Sequence, residues 1–426
     1  MLETIMVTTA TRTEQIHLQP NSRNSINNKN LSRLCHYSKN LYNQANYIVR
    51  QNLLQTGKWT RYEELAGALK NAENYKALPA QTAQQTLKTL DRSWKSFFRA
   101  TQEWKKNPDK FLGRPKMPGY KEKNGEHLLI FTNQQCRIMR DGEIKFPKKV
   151  DLKVKTRLED ETRLREIRIV PEGGGYVLEV VYHRRRRAVE KEPRKLPRGR
   201  VMGVDLGLRN TVTIVNNIGE KPIAVKGGVL KSINQYYNRE KARLQSVYDC
   251  QGLKTTGSKL LKLTGKRNRK IHDFFHKLSR GIVEWCVRND IGTIVVGYND
   301  NGSGGGWKQS PCLGRRNNQN FVQIPFQRLL QQVCYKAEEA GITVVVREES
   351  YTSKCSFLDN EPLGHCDEYA GRRISRGLFR SNKGVVINAD VNAAYNIIRK
   401  AFPEAFTADG IEGVGLHPVR MNLNAF

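Results

Sequence analysis

The chain has 426 residues, more than one ordinary hydrophobic core serves, so two or three domains are expected. Lys and Arg number 73 against 41 Asp and Glu, a formal net charge of +32 spread along the whole length, which would only repel itself unless it meets a polyanion. Neither a basic leader with an apolar core nor a run of about 18 apolar residues occurs, which excludes a spanning helix and leads us to expect a soluble protein with no membrane partner.

Thr11 to Leu18 alternates as a strand, is stopped by Gln19-Pro20, and needs a distant partner. From Asn28 the spacing changes. Leu31, Leu34, Leu41, Ala45, Ile48 and Val49 fall three and four apart and predict a helix with one apolar stripe. After Pro79, a fitting helix start, Ala83, Leu87, Leu90, Trp94, Phe97 and Phe98 repeat the pattern. Lys39, Arg50, Lys58, Arg61, Lys88, Arg92, Lys95 and Arg99 are interleaved with Tyr37, Tyr42, Tyr47 and Trp59. That mixture suits a nucleic-acid backbone and its bases, and equally a solvated helix face. Residues 105 to 123, rich in Pro, Gly and Lys, read as a basic loop.

Alternating segments follow at 127–132, 143–146, 150–154, 166–170 and 176–182, the last two joined by a Gly173–Gly175 hairpin turn. They predict a β-module of barrel or sandwich type, completed by the strand at 11–18 and interrupted by the helical stretch. Arg184–Arg187 and Pro193–Arg200 form a basic linker.

Val201–Leu206, Thr211–Val215 and Pro222–Val225 read as three consecutive antiparallel strands, with Asp205 inside the first. A carboxylate among Val, Met and Leu is costly to bury unless it meets a cation, so Asp205 reads as a metal ligand or else as a turn aspartate running into Gly207. One long basic helical segment spans about 231 to 287. It is followed by a strand at 293–296, a Gly302–Gly306 loop, a helix at 326–340 capped by Gly341, and a strand at 342–346. That order is a βαβ crossover, which makes the two strands parallel and puts their C-terminal ends on one rim. A last helix starts near Asp390, with Ala393, Ala394 and Ile397 on its packed face.

Gly203-Val-Asp-Leu-Gly207, Asp390-Val-Asn-Ala-Ala-Tyr-Asn-Ile397, His276-Lys-Leu-Ser-Arg280 and Tyr351-Thr-Ser-Lys354 together resemble the TnpB family. TnpB proteins are transposon-encoded RNA-guided DNA endonucleases related to type V CRISPR effectors and Fanzor proteins. The resemblance is specific over residues 200 to 400 and looser before them. It implies a multi-domain α+β fold: a β-barrel wedge domain (1–27 and 124–197), a helical recognition domain with the basic loop (28–123), and an RNase H-like (RuvC) nuclease domain (198–426). Residues 350–388 would stand in the place of a zinc-finger-like segment that loads the target strand. It further implies a guide RNA, a double-stranded DNA target with a short flanking motif, and a prokaryotic cytoplasm or nucleoid as the setting.

A RuvC site uses three acids to hold two magnesium ions, with manganese as a substitute. Asp205 and Asp390 match two of them. The third position, a Glu at the end of the strand at 293–296 in most relatives, is Gly297 here. Either the nuclease is dead or the oxygen comes from elsewhere. The neighbouring parallel strand delivers Glu348 and Glu349, which point to opposite faces if it continues so far. Rearranged relatives place a Glu three residues before Thr-Ser, which is Glu349, with Glu348 as understudy and Asp300 as a weaker candidate. Three functions stay open: an RNA-guided endonuclease, a nuclease-inactive RNA-guided repressor, and a guide-independent RNase H-like nuclease or resolvase. The large basic N-terminal region weighs against the last.

The eight cysteines include no Cys-x-x-Cys pair, as in a reducing cytoplasm. Relatives often place four zinc-binding cysteines between Thr352 and Asp390, where this chain has Cys355, His365 and Cys366. That set does not close a tetrahedral site, so zinc is not expected. Arg372, Arg373, Arg376, Arg380 and Lys383 make the segment basic enough to contact a substrate strand. His272, His276 and His365 read as structural or phosphate-contacting, because two-metal hydrolysis needs no histidine base.

Overall fold

The computed structural model describes residues 9–18, 28–159, 162–185, 197, 199–253, 257–298, 323–406 and 413–423. The chain divides into two compact units, Met1–Val189 with Thr255–Gly265, and Glu190–Lys254 with Lys266–Phe426. No helix among the described residues is long and apolar enough to cross a membrane.

In the first unit, β1 (Thr9–Leu18) precedes helices α1 (Asn28–Thr56), α2 (Tyr62–Leu69), α3 (Glu73–Ala77) and α4 (Ala80–Lys106). Then come β2 (Leu129–Thr132), β3 (Arg137–Ile138), β4 (Ile144–Lys145), β5 (Arg163–Glu172) and β6 (Gly175–Arg185). The lone first strand finds its partner at the far end of the unit, antiparallel to β6, with Thr11 opposite His183 and Leu18 opposite Tyr176. Gly173 and Gly174 make the β5–β6 turn with φ of +58° and +76°, the pair of left-handed residues that a two-residue hairpin loop needs.

Both predicted helical stripes are buried: Leu31, Leu34, Leu41, Ala45 and Val49 on α1, and Ala83, Leu87, Leu90 and Trp94 on α4. They share one apolar core with Leu129, Phe131, Ile167, Ile169 and Leu178 of the sheet, so the helices pack against the strands. The sheet runs β1-β6-β5-β2, with β3 and β4 as a separate ribbon. Among the described residues it is therefore an open sheet, not a barrel closed by hydrogen bonds. The strand expected at 150–154 does not form. Val150, Leu152 and Val154 do alternate into the core, but the segment is paired through an isolated Glu143–Lys155 bridge rather than a ladder.

The second unit begins with the antiparallel strands β7 (Val201–Leu206), β8 (Asn210–Asn216) and β9 (Ile223–Lys226). The basic helical segment is two helices, α5 (Gly228–Cys250) and α6 (Ser258–Arg288), parted near Gly252, whose φ of +64° no ordinary helix residue adopts. β10 (Thr293–Gly297), α7 (Phe326–Glu339) and β11 (Thr343–Arg347) make the expected crossover, with Gly341 left-handed at the end of α7. Then follow β12 (Arg372–Ser375), β13 (Leu378–Arg380) and β14 (Val386–Asn388) as a small sheet of their own, α8 (Ala389–Ala401), and β15 (Val419–Met421). The large sheet is ordered β11-β10-β7-β8-β9-β15, with β10 parallel to both β7 and β11. β15, parallel to β9, was not anticipated: three residues, two of them exposed, carry no alternation. The loop at Gly302–Gly306, Gln19-Pro20 and most of the basic linker lie outside the described residues.

The alternation along β7 sorts its side chains between two cores. Met202, Val204 and Leu206 join α6 and α7 residues such as Phe275, Ile282, Leu329 and Val333. Val201 faces the other way, toward Val391, Ala394 and Ile398 of α8. Gly203 shares that face because nothing larger fits: a Cβ there would lie 2.6 Å from both the Ala394 carbonyl oxygen and Ile398 Cγ1. The next residue on this face, at the C-terminal end of the strand, is Asp205.

Candidate active site

Asp205 is half-buried in a strand whose other residues are buried, on the side covered by α8. Asp390 stands in the first turn of that helix. The Asn388 side chain caps the turn, accepting from the backbone N–H groups of Asp390 at 3.0 Å and Val391 at 3.2 Å, which fixes where the helix starts. Asn210, at the start of β8, donates its amide to Asp390 Oδ2 at 2.9 Å. Burial pushes the Asp205 carboxyl well above the usual carboxylate range, and the charges of Glu349 and then Asp390 push it further, while Arg373 pulls it back. Glu349 and Asp390 thus both lie within electrostatic reach of Asp205.

Parallel pairing aligns the strand ends. Val204 of β7 pairs with Val296 of β10, and Gly297 pairs with Arg347 of β11, so Asp205, Gly297 and Arg347 lie on one rim. A side chain at Gly297 would press on Ile397. A Cβ there would lie 2.4 Å from Ile397 Cδ1 on α8, and 3.5 Å from Glu349 Oε2. The Glu349 carboxylate thus lies in van der Waals reach of position 297. Burial pushes its carboxyl up to about 7, with Glu348 adding to the shift and Lys400 opposing it.

Glu348 is exposed and turned elsewhere. Lys400 donates to its Oε2 at 3.0 Å, and the Ser350 hydroxyl donates to its other oxygen. β11 stops at Arg347, yet the two glutamates still diverge as continued strand residues would. Asp300 lies outside the described residues.

Among the described residues no three His, Cys, Asp or Glu side chains are gathered closely enough to hold a metal ion as they stand. The donor chemistry nevertheless fits magnesium, a hard ion that takes one or two carboxylates and completes its shell with water and substrate oxygens. The raised Asp205 carboxyl marks a site where negative charge is crowded and a divalent cation would relieve it.

Cations line the same region. Arg373, on β12, reaches Asp205 through its charge. Arg209 donates to the Arg376 carbonyl at 3.5 Å, and Lys231 is lowered first by burial and then by the charges of Arg376 and Arg209. Of the basic residues expected to meet a substrate strand, Arg373 and Arg376 are thus brought to the acids' side of the unit. Asn210, Arg209 and Lys231 were not singled out from the sequence. Their roles come from contacts between segments far apart in the chain, and no local pattern marks them.

The remaining candidates stand apart from the acids. His272 and His276 face each other on α6, with Nε2 atoms 3.1 Å apart, and His276 is pushed down to about 4 by burial, then by His272 and Lys336. His365 lies edge-on to the Tyr351 ring. Cys355 is buried, its thiol directed at the Gly364 carbonyl 3.7 Å away.

The family model OrfB_IS605, described as a probable transposase, matches residues 185–301, and the Cas12f1-like TNB domain model matches residues 326–397. The TnpB-like protein ORF457 of Acidianus two-tailed virus is 24% identical over 425 residues, covering 92% of this chain and 86% of that protein. The CRISPR-associated endodeoxyribonuclease Cas12f1 of Sulfoacidibacillus thermotolerans is 29% identical over 217 residues, 49% of this chain and 47% of that protein. Among solved structures, a Cas12f1–sgRNA–target DNA complex contains a chain with the same fold. Its TM-score is 0.52 at 14% identity, over 86% of this chain and 81% of that one. The likeness to TnpB read from the sequence motifs is borne out by these matches.

Proposed function

We propose that this relative of TnpB is an RNA-guided double-stranded DNA endonuclease of a transposable element, with a RuvC-type site built from Asp205, Glu349 and Asp390. The observation that carries the reading is the Glu349 carboxylate lying 3.5 Å from where a Cβ on Gly297 would be, beside Asp205 on the same rim. In this reading the acid missing from β10 would come from the loop that follows β11. Relatives named as endodeoxyribonucleases, a fold shared with a chain captured on guide RNA and target DNA, and a net charge of +32 support nucleic-acid partners of the same kinds.

Asp205, Glu349 and Asp390 would hold magnesium, with manganese as a substitute; when bound, the metal supplies a hydroxide nucleophile and charge to stabilise the leaving 3′ oxygen. The protein's own groups prepare that chemistry. Asn210 fixes one oxygen of Asp390 and so aims the other. Arg373, beside Asp205, would meet a phosphate drawn to the acids, and Arg209, Lys231 and Arg376 extend the cationic path for the strand. The first unit would serve as wedge and recognition region, holding the guide and a short flanking DNA motif, while target sequence is read by base pairing.

The test is plasmid cleavage by protein co-expressed with RNA from its own locus, in magnesium and in EDTA. Cleavage that needs RNA and magnesium and disappears in Asp205→Ala is expected. Guided target binding without cleavage would make the protein a nuclease-inactive repressor. Cleavage by RNA-free protein would make it a guide-independent nuclease.

A further inference from the structure

We propose that Thr352 and Asn396 are positioning residues that fix the Glu349 carboxylate relative to Asp390. The inference rests on the reading of Glu349 as a metal-holding acid. β11 ends at Arg347, so Glu349 sits on a loop and no strand ladder holds it. What holds it is Thr352. Both the backbone N–H (3.2 Å) and the hydroxyl (2.8 Å) of this buried residue donate to the Glu349 carbonyl.

Thr352 is gripped in turn by the helix that carries Asp390. The Asn396 amide donates to the Thr352 carbonyl at 2.9 Å and to the Cys355 carbonyl at 2.8 Å. One turn earlier, Asn392 donates to the Cys355 carbonyl at 2.9 Å and accepts from the Phe357 N–H at 2.9 Å. Both asparagines are fully buried, on a helix whose other buried residues are mostly apolar, and the Asn396 side-chain oxygen has no hydrogen-bond partner. The unpartnered amide oxygen costs stability, but an apolar residue of similar size would take the donor away from the Thr352 carbonyl, so the amide is kept for what its N–H groups hold. What the amide contributes is a short, dry connection from Asp390 along α8 to Asn396, Thr352 and Glu349. The spacing of two acids that lie on different elements is thereby tied to one rigid helix.

The experiment titrates the full-length protein with Mn2+, following the free ion by electron paramagnetic resonance. Thr352→Val keeps the side-chain shape but removes the hydroxyl that reaches the Glu349 carbonyl, and Thr352→Ser restores it. Thr352→Val should weaken Mn2+ binding roughly tenfold, the usual size of an effect from a group that orients a metal ligand. Thr352→Ser should bind as the wild type does. In a Glu349→Gln background, Thr352→Val should cause no further loss, because it acts through that carboxylate.

Equal weakening in both backgrounds would show general damage and overturn the inference, as would wild-type affinity in Thr352→Val. Wild-type protein that binds no Mn2+, or Glu349→Gln that binds it undiminished, would instead overturn the reading of Glu349 beneath it.

Discussion

Gly297 ends β10 against Ile397 of α8, and the packing there makes a testable prediction. Its φ is not left-handed, so the backbone itself accepts any residue. With open space beside it, Gly297→Ala would stabilise the protein by about 0.4–1 kcal/mol through the unfolded chain alone. The structure predicts the opposite. A Cβ would stand 2.4 Å from Ile397 Cδ1 and 3.0 Å from its Cγ1, and Ile397 is only 1% exposed, with little freedom to retreat. Overpacking of this kind costs about 1–3 kcal/mol.

Ile397→Val removes the nearer clashing atom and alone should cost about 0.5–1.5 kcal/mol. The double variant should therefore lose less than the sum of the two, by roughly 1 kcal/mol or more. Urea unfolding of the four proteins, followed by Trp fluorescence, measures the cycle. Additive losses, or a stabilising Gly297→Ala, would refute the view that α8 leaves position 297 no room for an acid.

Asn210→Ala removes the 2.9 Å donor to Asp390 while leaving the acid in place, and should slow single-turnover cleavage about tenfold with target binding unchanged, as checked by filter binding. In the first unit, His127 is 7% exposed, has an unpartnered Nε2, and is pushed down to about 4 by burial and by Lys121. A histidine lowered on folding stabilises the fold above its unfolded value near 6.5 and loses that contribution as pH falls toward 4. From pH 7 to pH 5 the loss should be about 2 kcal/mol. His127→Phe should remove that dependence, measured by thermal melts across the same interval.

Most of the central sheet was legible because its elements leave local traces, β15, short and largely exposed, being the exception. Alternation marked β7 and β8, continuous apolar residues marked β10, and three-and-four spacing marked α7 and α8. Asp205 and Asp390 stood out as carboxylates set into those patterns. Patterns name a buried face but not what covers it, so the core shared by the first unit's helices and sheet was not legible. The same limit explains 150–154, whose alternation into the core is real but whose pairing stops at one bridge.

The break between α5 and α6 depends on the left-handed Gly252 in an otherwise unbroken basic run. Asn210 and Asn396 act on segments 180 and 44 residues away, so their roles are set by tertiary contact alone. The two-residue period said only that Glu348 and Glu349 face apart; the choice of Glu349 came from the resemblance, whose rearranged members place a Glu three residues before Thr-Ser. The structure adds the reason that matters: Glu348 is committed to Lys400 and Ser350, and Glu349 to the space beside Gly297.

That contrast supplies the most direct measurement. RNA-loaded wild type, Glu349→Gln and Glu348→Gln are compared for plasmid cleavage at saturating magnesium. The relocated-acid account predicts that Glu349→Gln abolishes cleavage while still binding target, and that Glu348→Gln cuts at nearly the wild-type rate. Full cleavage by Glu349→Gln, or loss in Glu348→Gln alone, would contradict it.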